Sequence, residues 1–249
     1  MRTSRTSPPP PPRPPTGSRP TCARTPVKFR YIAVLNEVIP GGNAQYVLGA
    51  MKKINNALEN DPGGQVMVSA SVSFGVIGVS YPPSNGAFSG AAMTYMEPIL
   101  ASTGAPLLVN VYPYFSYKGN RNSISLQYAT FTSPSTVVQD GSLNYQNLFD
   151  AMVNSVYAAL SQAGGANMPI VVSESGWPSD GGFAASVVNA GTYNANLVKH
   201  VGGGTPRKSG PLETYIFAMF NENQKTGDPT EQHFGLFYPN QQPVYPVSF

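Results

Sequence analysis

The chain has 249 residues, a formal net charge of +3, a charged fraction of only 11% and a single cysteine, Cys22. The charge is segregated: residues 1–30 contain seven basic and no acidic residues, which leaves eight basic against twelve acidic residues, a net charge of −4, in the remainder. A mildly acidic body does not indicate nucleic-acid binding, one cysteine excludes a disulfide framework and a Cys/His metal cluster, and no apolar run reaches membrane-spanning length.

Residues 1–26 are predicted to form no packed element. They include an unbroken proline run from Pro8 to Pro12 and offer no apolar segment to bury, which is typical of extended or disordered chain. They lack the apolar core of a secretory signal peptide and resemble a transit peptide only loosely. A mis-joined gene start is the preferred interpretation, and a docking segment for SH3-like partners is a weaker alternative.

From residue 27 onward, apolar runs typical of strands alternate with spans of helical spacing. Strands are predicted at residues 29–37, 66–74, 106–113, 170–174 and 214–222. Helices are predicted at residues 44–58, 91–100, 145–162 and 184–201, the third with one apolar face. Residues 114–144 are too polar for one element and are expected to be a substrate-side excursion with short pieces of structure. This alternation of predicted strands and helices predicts one parallel α/β domain at residues 27–249.

Three of the predicted strands end in a glutamate. The run Ile170–Val172 shows no alternation, which is typical of a strand buried on both faces, and it leads directly to Glu174. Glu37 ends the first predicted strand and Glu222 the last. A lone glutamate at a strand end is usually an exposed surface residue. Recurrence at the same strand end instead indicates an active site at the carboxyl edge of a barrel.

The stretch Ser173–Ser179, SESGWPS, resembles the signature of glycoside hydrolase family 17, the plant endo-β-1,3-glucanases. Three further blocks resemble the family's other hallmark motifs, in the same order: Tyr31–Val38, Val109–Phe115 and Phe217–Lys225. The likeness covers residues 27–249. It implies a (β/α)8 TIM-barrel fold and an enzyme that acts on β-1,3-glucan. It also implies plant cell-wall or defence work, outside the cell or in the vacuole.

The family's barrel has eight strand–helix units, and the pattern in this chain accounts for about five of them. By resemblance, the family's first three units are absent before Phe29. We therefore expect an incomplete barrel with exposed sheet edges and low activity. Two functions stay open: a retaining endo-hydrolase of β-1,3-glucan, and a non-catalytic glucan-binding or inactive fragment of such an enzyme. Barrel closure discriminates between them, and a monomer is expected if the barrel is complete.

Glycosidic bond cleavage needs two carboxyl groups, one on each side of the bond. Glu37 and Glu174 are the natural pair, and the resemblance implies a retaining enzyme with Glu37 as acid/base and Glu174 as nucleophile. Asn36 precedes the acid and is expected to hydrogen-bond a sugar hydroxyl beside the reacting carbon. This chemistry requires no metal or cofactor. His200 and His233 are isolated in the sequence and are expected to be satisfied histidines, not metal ligands.

A second charged group matches the supporting residues of the family: Glu222, Lys225 and Glu231. A lysine beside carboxylates would help to determine which glutamate stays protonated. The alternative is a solvated loop pair of Lys225 and Glu231. One residue departs from the family, because Leu35 stands where glycine is usual. The added side chain of Leu35 is expected either to crowd the site or to fill the core. Because neighbouring residues of a strand point to opposite faces, Leu35 is expected to lie on the face away from Asn36.

Four aromatic residues follow strand ends: Tyr112, Tyr114, Phe115 and Trp177. Aromatic faces stack on the apolar faces of sugar rings, so an open groove lined by these side chains suits a polysaccharide. Packing of loops onto the barrel rim is the alternative, and it is expected for at least two of the four.

Overall fold

The computed structural model describes residues 28–58, 66–102 and 104–249. The proline-rich segment at residues 1–26, expected to be disordered, lies outside them. In chain order the helices and strands are β1 (Tyr31–Asn36), α1 (Ala44–Leu58), β2 (Met67–Ser73), β3 (Ile77–Val79), β4 (Ala87–Phe88), α2 (Gly90–Ser102), β5 (Leu107–Asn110), α3 (Pro113–Gly119), α4 (Leu126–Ala129), β6 (Val138–Asp140), β7 (Leu143–Tyr145), α5 (Leu148–Gln162), β8 (Ile170–Ser175), α6 (Val187–His200), β9 (Gly204–Thr205), β10 (Lys208–Ser209) and β11 (Thr214–Ile216).

Five strands form the central sheet of the described residues, in the order β1-β2-β5-β8-β11. Every neighbouring pair in this sheet is parallel. The predicted parallel α/β architecture is therefore confirmed, and each of the five predicted strand regions contains one strand of this sheet. Since parallel strands end at the same edge, the side chains that follow them meet there. In the register, Asn110 at the end of β5 pairs with Ser73 on one side and with Glu174 on the other.

The central and outer strands of this sheet differ in burial. The strands β2, β5 and β8 are mostly buried, as the unalternating apolar run of β8 predicts, although β2 alternates apolar residues with serine. In β1 only Val34 is buried, and β11 has no fully buried residue. Both lie at the edges of the described sheet, which accounts for their greater exposure. The last strand also ends at Ile216, and residues 217–222, predicted to continue it, lie outside the sheet.

Helix α5 differs most from its prediction. Its spacing predicts one apolar face, yet all residues from 148 to 160 are buried. The outer side is covered by the segment after β2, which contains β3, β4 and a 3-10 turn at Pro83–Asn85. This segment approaches so closely that a Cβ at Gly86 would overlap the Ser155 carbonyl group. On another side of α5, Nε2 of His200, the last residue of α6, lies 2.7 Å from Asp150 Oδ1, so the expectation of a satisfied histidine is confirmed for His200.

The excursion at residues 114–144 contains short elements, as predicted. It consists of α3, α4 and the antiparallel pair β6–β7, and α3 and α4 both contact α5. Ser125 caps α4 by accepting a hydrogen bond from the Tyr128 backbone N–H. Among the helices of the described residues, none is both long and apolar enough to cross a membrane.

Candidate active site

A cavity of about 520 Å³ opens at the carboxyl ends of the parallel strands. Glu37, which follows β1, and Glu174, near the end of β8, both line it, together with Asn36 and Asn110. The two glutamates are separated by 137 positions in the chain and by two intervening strands in the sheet. The curvature of the sheet nevertheless brings them to one site, which we call the carboxylate cavity. The predicted meeting of Glu37 and Glu174 is therefore observed.

Asn110 holds the two halves of the carboxylate cavity together. Its Nδ2 donates to Glu37 Oε1 at 2.7 Å and to Asn36 Oδ1 at 3.1 Å. Its Oδ1 accepts from Ser173 Oγ at 2.7 Å and from Ser71 Oγ at 3.2 Å. The side chain is 1% exposed, so its polar groups depend on these partners rather than on water. Asn110 fixes the position of Glu37 relative to the neighbouring strands.

Glu174 receives a hydrogen bond on each carboxyl oxygen. Tyr112 donates its hydroxyl to Oε2 at 2.8 Å, and Asn36 Nδ2 donates to Oε1 at 3.3 Å. Burial raises the pKa of Glu174 above its ordinary value, and the charge of Glu37 raises it further, whereas Tyr112 and Lys225 lower it. Burial, with the charge of Glu174, also raises the pKa of Tyr112, so its phenol stays protonated and remains a donor.

Lys225 forms the centre of the second charged group. Its Nζ lies 3.1 Å from Glu222 Oε2 and 3.0 Å from Glu231 Oε2. Burial lowers the pKa of Lys225, but the two carboxylates outweigh it and the net pKa is raised. Lys225 and Glu231 line the carboxylate cavity, so they form more than a solvated loop pair. Glu222 does not line the cavity and follows no strand end, because β11 ends at Ile216.

The four predicted aromatic residues divide into two pairs. Tyr112 and Phe115 line the carboxylate cavity, where Phe115 is 39% exposed. Tyr114 and Trp177 are both 0% exposed, with ring centroids 5.1 Å apart. A fully buried ring presents no face to a ligand, so the expectation that these two contact a sugar is corrected. They pack the loops onto the sheet, which is the alternative interpretation expected for two of the four.

Several cavity residues were not identified from the sequence. Asn110 ends an apolar strand in the same way as Asn36, and this repeated pattern was the available signal. Phe217 and Phe234 also line the cavity. Phe217 falls inside a run assigned to a strand, and Phe234 lies in a loop far from every strand motif. Nothing in the local pattern distinguishes these two phenylalanines from core residues.

Leu35 neither crowds the cavity nor fills the core. Its side chain is 44% exposed and does not line the carboxylate cavity. Its φ is +61°, and Glu37 has a φ of +56°, so the backbone on both sides of Asn36 is left-handed. Glycine adopts this conformation without strain, whereas leucine does so at a cost of order 1 kcal/mol. The alternation of strand faces, used to place Leu35, does not hold through this turn.

The raised pKa of Glu174 predicts a pH dependence of stability. Between the ordinary pKa of 4.5 and the raised value, the folded chain binds more protons than the unfolded chain. The free energy of unfolding therefore falls as pH rises through this window. Glu174→Gln removes this titration, so its free energy of unfolding should increase relative to that of the wild type as pH rises through the same window. Urea unfolding at a series of pH values measures this difference. Glu97→Gln, at an exposed position of α2, is the matched control. A Glu174→Gln difference of opposite sign would show that Tyr112 and Lys225 outweigh burial.

A family model and the most similar relatives identify the family of this chain. The model of the family described as "Glycosyl hydrolases family 17" matches residues 19–249. A glucan endo-1,3-beta-glucosidase of Vitis vinifera is 58% identical over 231 residues, covering 90% of this chain and 67% of that protein. A basic vacuolar isoform from Nicotiana tabacum is 54% identical, covering 90% of this chain and 62% of that protein. The chain thus spans about two thirds of the length of these relatives.

One solved structure superposes closely on this chain. It comes from a study of two plant beta-glucan endohydrolases with distinct substrate specificities. It has a TM-score of 0.86 and 49% identity, and the match covers 90% of this chain and 73% of that one. The five parallel strands and their helices are therefore arranged as in a (β/α)8 barrel.

Proposed function

The chain belongs to family 17 of the glycosyl hydrolases. We therefore propose that it hydrolyses internal glycosidic bonds of β-1,3-glucan and retains the configuration of the anomeric carbon. The observation that carries this proposal is the carboxylate cavity, where Glu37 and Glu174 occupy different surroundings. Two differentiated carboxyl groups at one site suit an acid/base and a nucleophile. The names of the relatives support β-1,3-glucan as the substrate.

Glu174 is the proposed nucleophile. Tyr112 and Asn36 each donate a hydrogen bond to one of its oxygens, and such donors favour the acceptor-only, ionised carboxylate. The positive charge of Lys225 acts in the same direction. Burial opposes ionisation, so Glu174 becomes fully reactive only above its raised pKa. In the first step its carboxylate attacks the anomeric carbon and forms a glycosyl ester.

Glu37 is the proposed acid/base. Its Oε1 accepts from Asn110, and its Oε2 has no hydrogen-bond partner within the described part of the chain. The free oxygen can carry the proton that passes to the glycosidic oxygen as the bond to the anomeric carbon breaks. In the second step Glu37 takes a proton from water, the resulting hydroxide attacks the anomeric carbon, and the Glu174 carboxylate is released.

The surroundings of the pair suit a neutral polysaccharide. Phe115, Phe217 and Phe234 line the cavity beside Tyr112 and provide apolar faces for sugar rings. By analogy with the vacuolar isoform from Nicotiana tabacum, we place the protein in the vacuole or outside the cell.

The function is tested by incubating the 249-residue chain with laminarin and following new reducing ends and the anomeric NMR signals of the first products. Internal cleavage that first releases the β-anomer is expected. Release of the α-anomer first would contradict the retaining mechanism. Binding of laminarin without any new reducing end would support the other function considered from the sequence, a non-catalytic glucan-binding protein.

A further inference from the structure

Two serine hydroxyls meet at the side-chain amide of Asn110. Ser71 lies in β2 and Ser173 in β8, the two strands that flank β5 in the sheet. Their hydroxyls donate to Asn110 Oδ1, and their own Oγ atoms lie 3.1 Å apart. Neither hydroxyl has a further hydrogen-bond partner within the described part of the chain. We call these three side chains the serine–asparagine cluster, which borders the carboxylate cavity through Asn110.

The strand register brings both serines into this cluster. The pairing of β5 with β8 shifts just before Asn110, so that Glu174 becomes its partner and Ser173 is an extra residue on β8. An extra residue of this kind changes the direction of nearby side chains and is common beside active sites. On β2, Ser71 lies two positions before Ser73, which lines the carboxylate cavity, so the two side chains share one face of the sheet. Two different strands therefore direct a hydroxyl toward the same amide.

The hydrogen bonds through Asn110 run in one direction. Its Oδ1 accepts from the two serines, whereas its Nδ2 donates onward to Glu37 Oε1 and to Asn36 Oδ1. The oxygen and nitrogen ends of a carboxamide have nearly the same shape but opposite hydrogen-bonding roles. The neighbours of Asn110 therefore decide which end faces the carboxyl group of Glu37.

The reverse orientation of the Asn110 amide is disfavoured at both of its ends. Its Oδ1 would then face the acceptors Glu37 Oε1 and Asn36 Oδ1. At the other end, the two serine hydrogens would lose the oxygen to which they donate, and only one of them could bond to the neighbouring serine. Asn110 is 1% exposed, so water does not replace these partners. The two serines thus hold the N–H group of Asn110 toward Glu37.

The orientation of Asn110 determines which oxygen of Glu37 can carry a proton. Oε1 already accepts the N–H of Asn110, which leaves Oε2 as the oxygen that is free to be protonated. With the amide reversed, a proton on Oε1 would be bonded to Asn110 Oδ1 and kept away from the glycosidic oxygen. Glu174 depends less on the cluster, because Tyr112 donates to it directly at 2.8 Å.

We propose that Ser71 and Ser173 are positioning residues, which orient Asn110 so that the proton of Glu37 stays on Oε2, the oxygen that protonates the leaving group. This inference rests on the proposed function for the role of Glu37 as acid/base. The alternative is that the two serines only satisfy a buried amide. In that case their removal would lower stability without making the rate more dependent on the leaving group.

The double variant Ser71→Ala/Ser173→Ala removes both donors to Asn110 Oδ1. Its kcat on laminarin should fall about ten- to hundredfold, a part of the roughly 10²–10⁴-fold that a general acid contributes, with little change in KM. Aryl β-glucosides of β-1,3-linked oligosaccharides need little protonation, so their hydrolysis should fall much less. Ser173→Thr keeps a hydroxyl at this position and should retain the wild-type ratio of the two rates. If the double variant does not fold, Ser173→Ala alone carries the test.

Ser69→Ala is the matched control. Ser69 lies on the same face of β2 and is 1% exposed, but its hydroxyl donates to the Pro106 carbonyl at 2.7 Å and not to Asn110. Its removal also costs a buried hydrogen bond, so urea unfolding should show a loss of stability. The ratio of the rates on laminarin and on the aryl glucoside should stay as in the wild type. A change of this ratio in Ser69→Ala would show that it does not report on Asn110.

The orientation of Asn110 is measured independently of activity, by nuclear Overhauser effects from its side-chain N–H hydrogens. In the wild type these hydrogens should lie close to the Cγ hydrogens of Glu37, and in the double variant they should approach the methyl groups introduced at positions 71 and 173. A wild-type ratio of the two rates, or wild-type Asn110 signals, in the double variant overturns the inference and leaves the proposed function standing. If the chain hydrolyses neither substrate, the hydrolytic function is overturned and the Asn110 signals alone decide whether the serines orient the amide.

Discussion

Replacing Glu174 with alanine is expected to lower the rate of laminarin hydrolysis by about a thousandfold or more, as for other covalent nucleophiles. The loss follows because no carboxylate remains to form the glycosyl ester. Azide should restore part of the activity by attacking the anomeric carbon from the vacated side, and the product should be an α-glycosyl azide. Reducing-end assays with and without azide, and NMR of the product, measure this outcome.

Glu37→Ala should behave differently from Glu174→Ala. It removes the proton donor, so it should spare aryl β-glucosides of β-1,3-linked oligosaccharides, whose leaving groups need little protonation. Glu97→Ala, which removes an exposed carboxylate of α2, is the matched control and should keep wild-type turnover. Equal losses in the Glu37 and Glu174 variants, without rescue by azide, would argue against the assigned roles.

Replacing Trp177 with alanine is expected to lower the free energy of unfolding by about 3–5 kcal/mol, as for other buried aromatic side chains. Trp177 is 0% exposed, and its indole Nε1 donates to the Ala184 carbonyl at 2.9 Å. Its ring lies against Tyr114, Tyr117 and Tyr193, with centroids 5.1, 6.0 and 5.6 Å away. Since domains are stable by only about 5–15 kcal/mol, this loss is a large share of the total. Urea unfolding followed by circular dichroism measures it.

The matched control for Trp177→Ala is Phe183→Ala. Phe183 contacts the same aromatic cluster through Tyr117 but is 45% exposed, so its removal should cost less than about 1 kcal/mol. Similar losses in the two variants would show that Trp177 does not stabilise the fold through burial. A Trp177→Ala chain with wild-type stability but weaker glucan binding would return Trp177 to the ligand-contacting role first expected from the sequence.

The sequence alone determined the elements of the fold and the catalytic candidates. Apolar runs and helical spacing depend on neighbouring residues, so α1 and the positions of the five parallel strands were predicted, although β11 ends six residues before its predicted end. The glutamates at residues 37 and 174 were found for a related reason. Parallel strands end at one edge, and a charged residue that closes an apolar run is therefore placed at that edge whatever the details of packing.

Only the tertiary structure decided which side chains face the cavity. Phe115 and Trp177 each follow a strand end, yet one lines the carboxylate cavity and the other is buried against α3 and α6. The full burial of α5 and the central role of Asn110 likewise depend on segments distant in the chain. Local pattern records which residues are apolar or polar. Which residues each side chain contacts depends on the packing of segments that are distant in the sequence. This packing is determined only by the curvature of the sheet and by the loops that cover it.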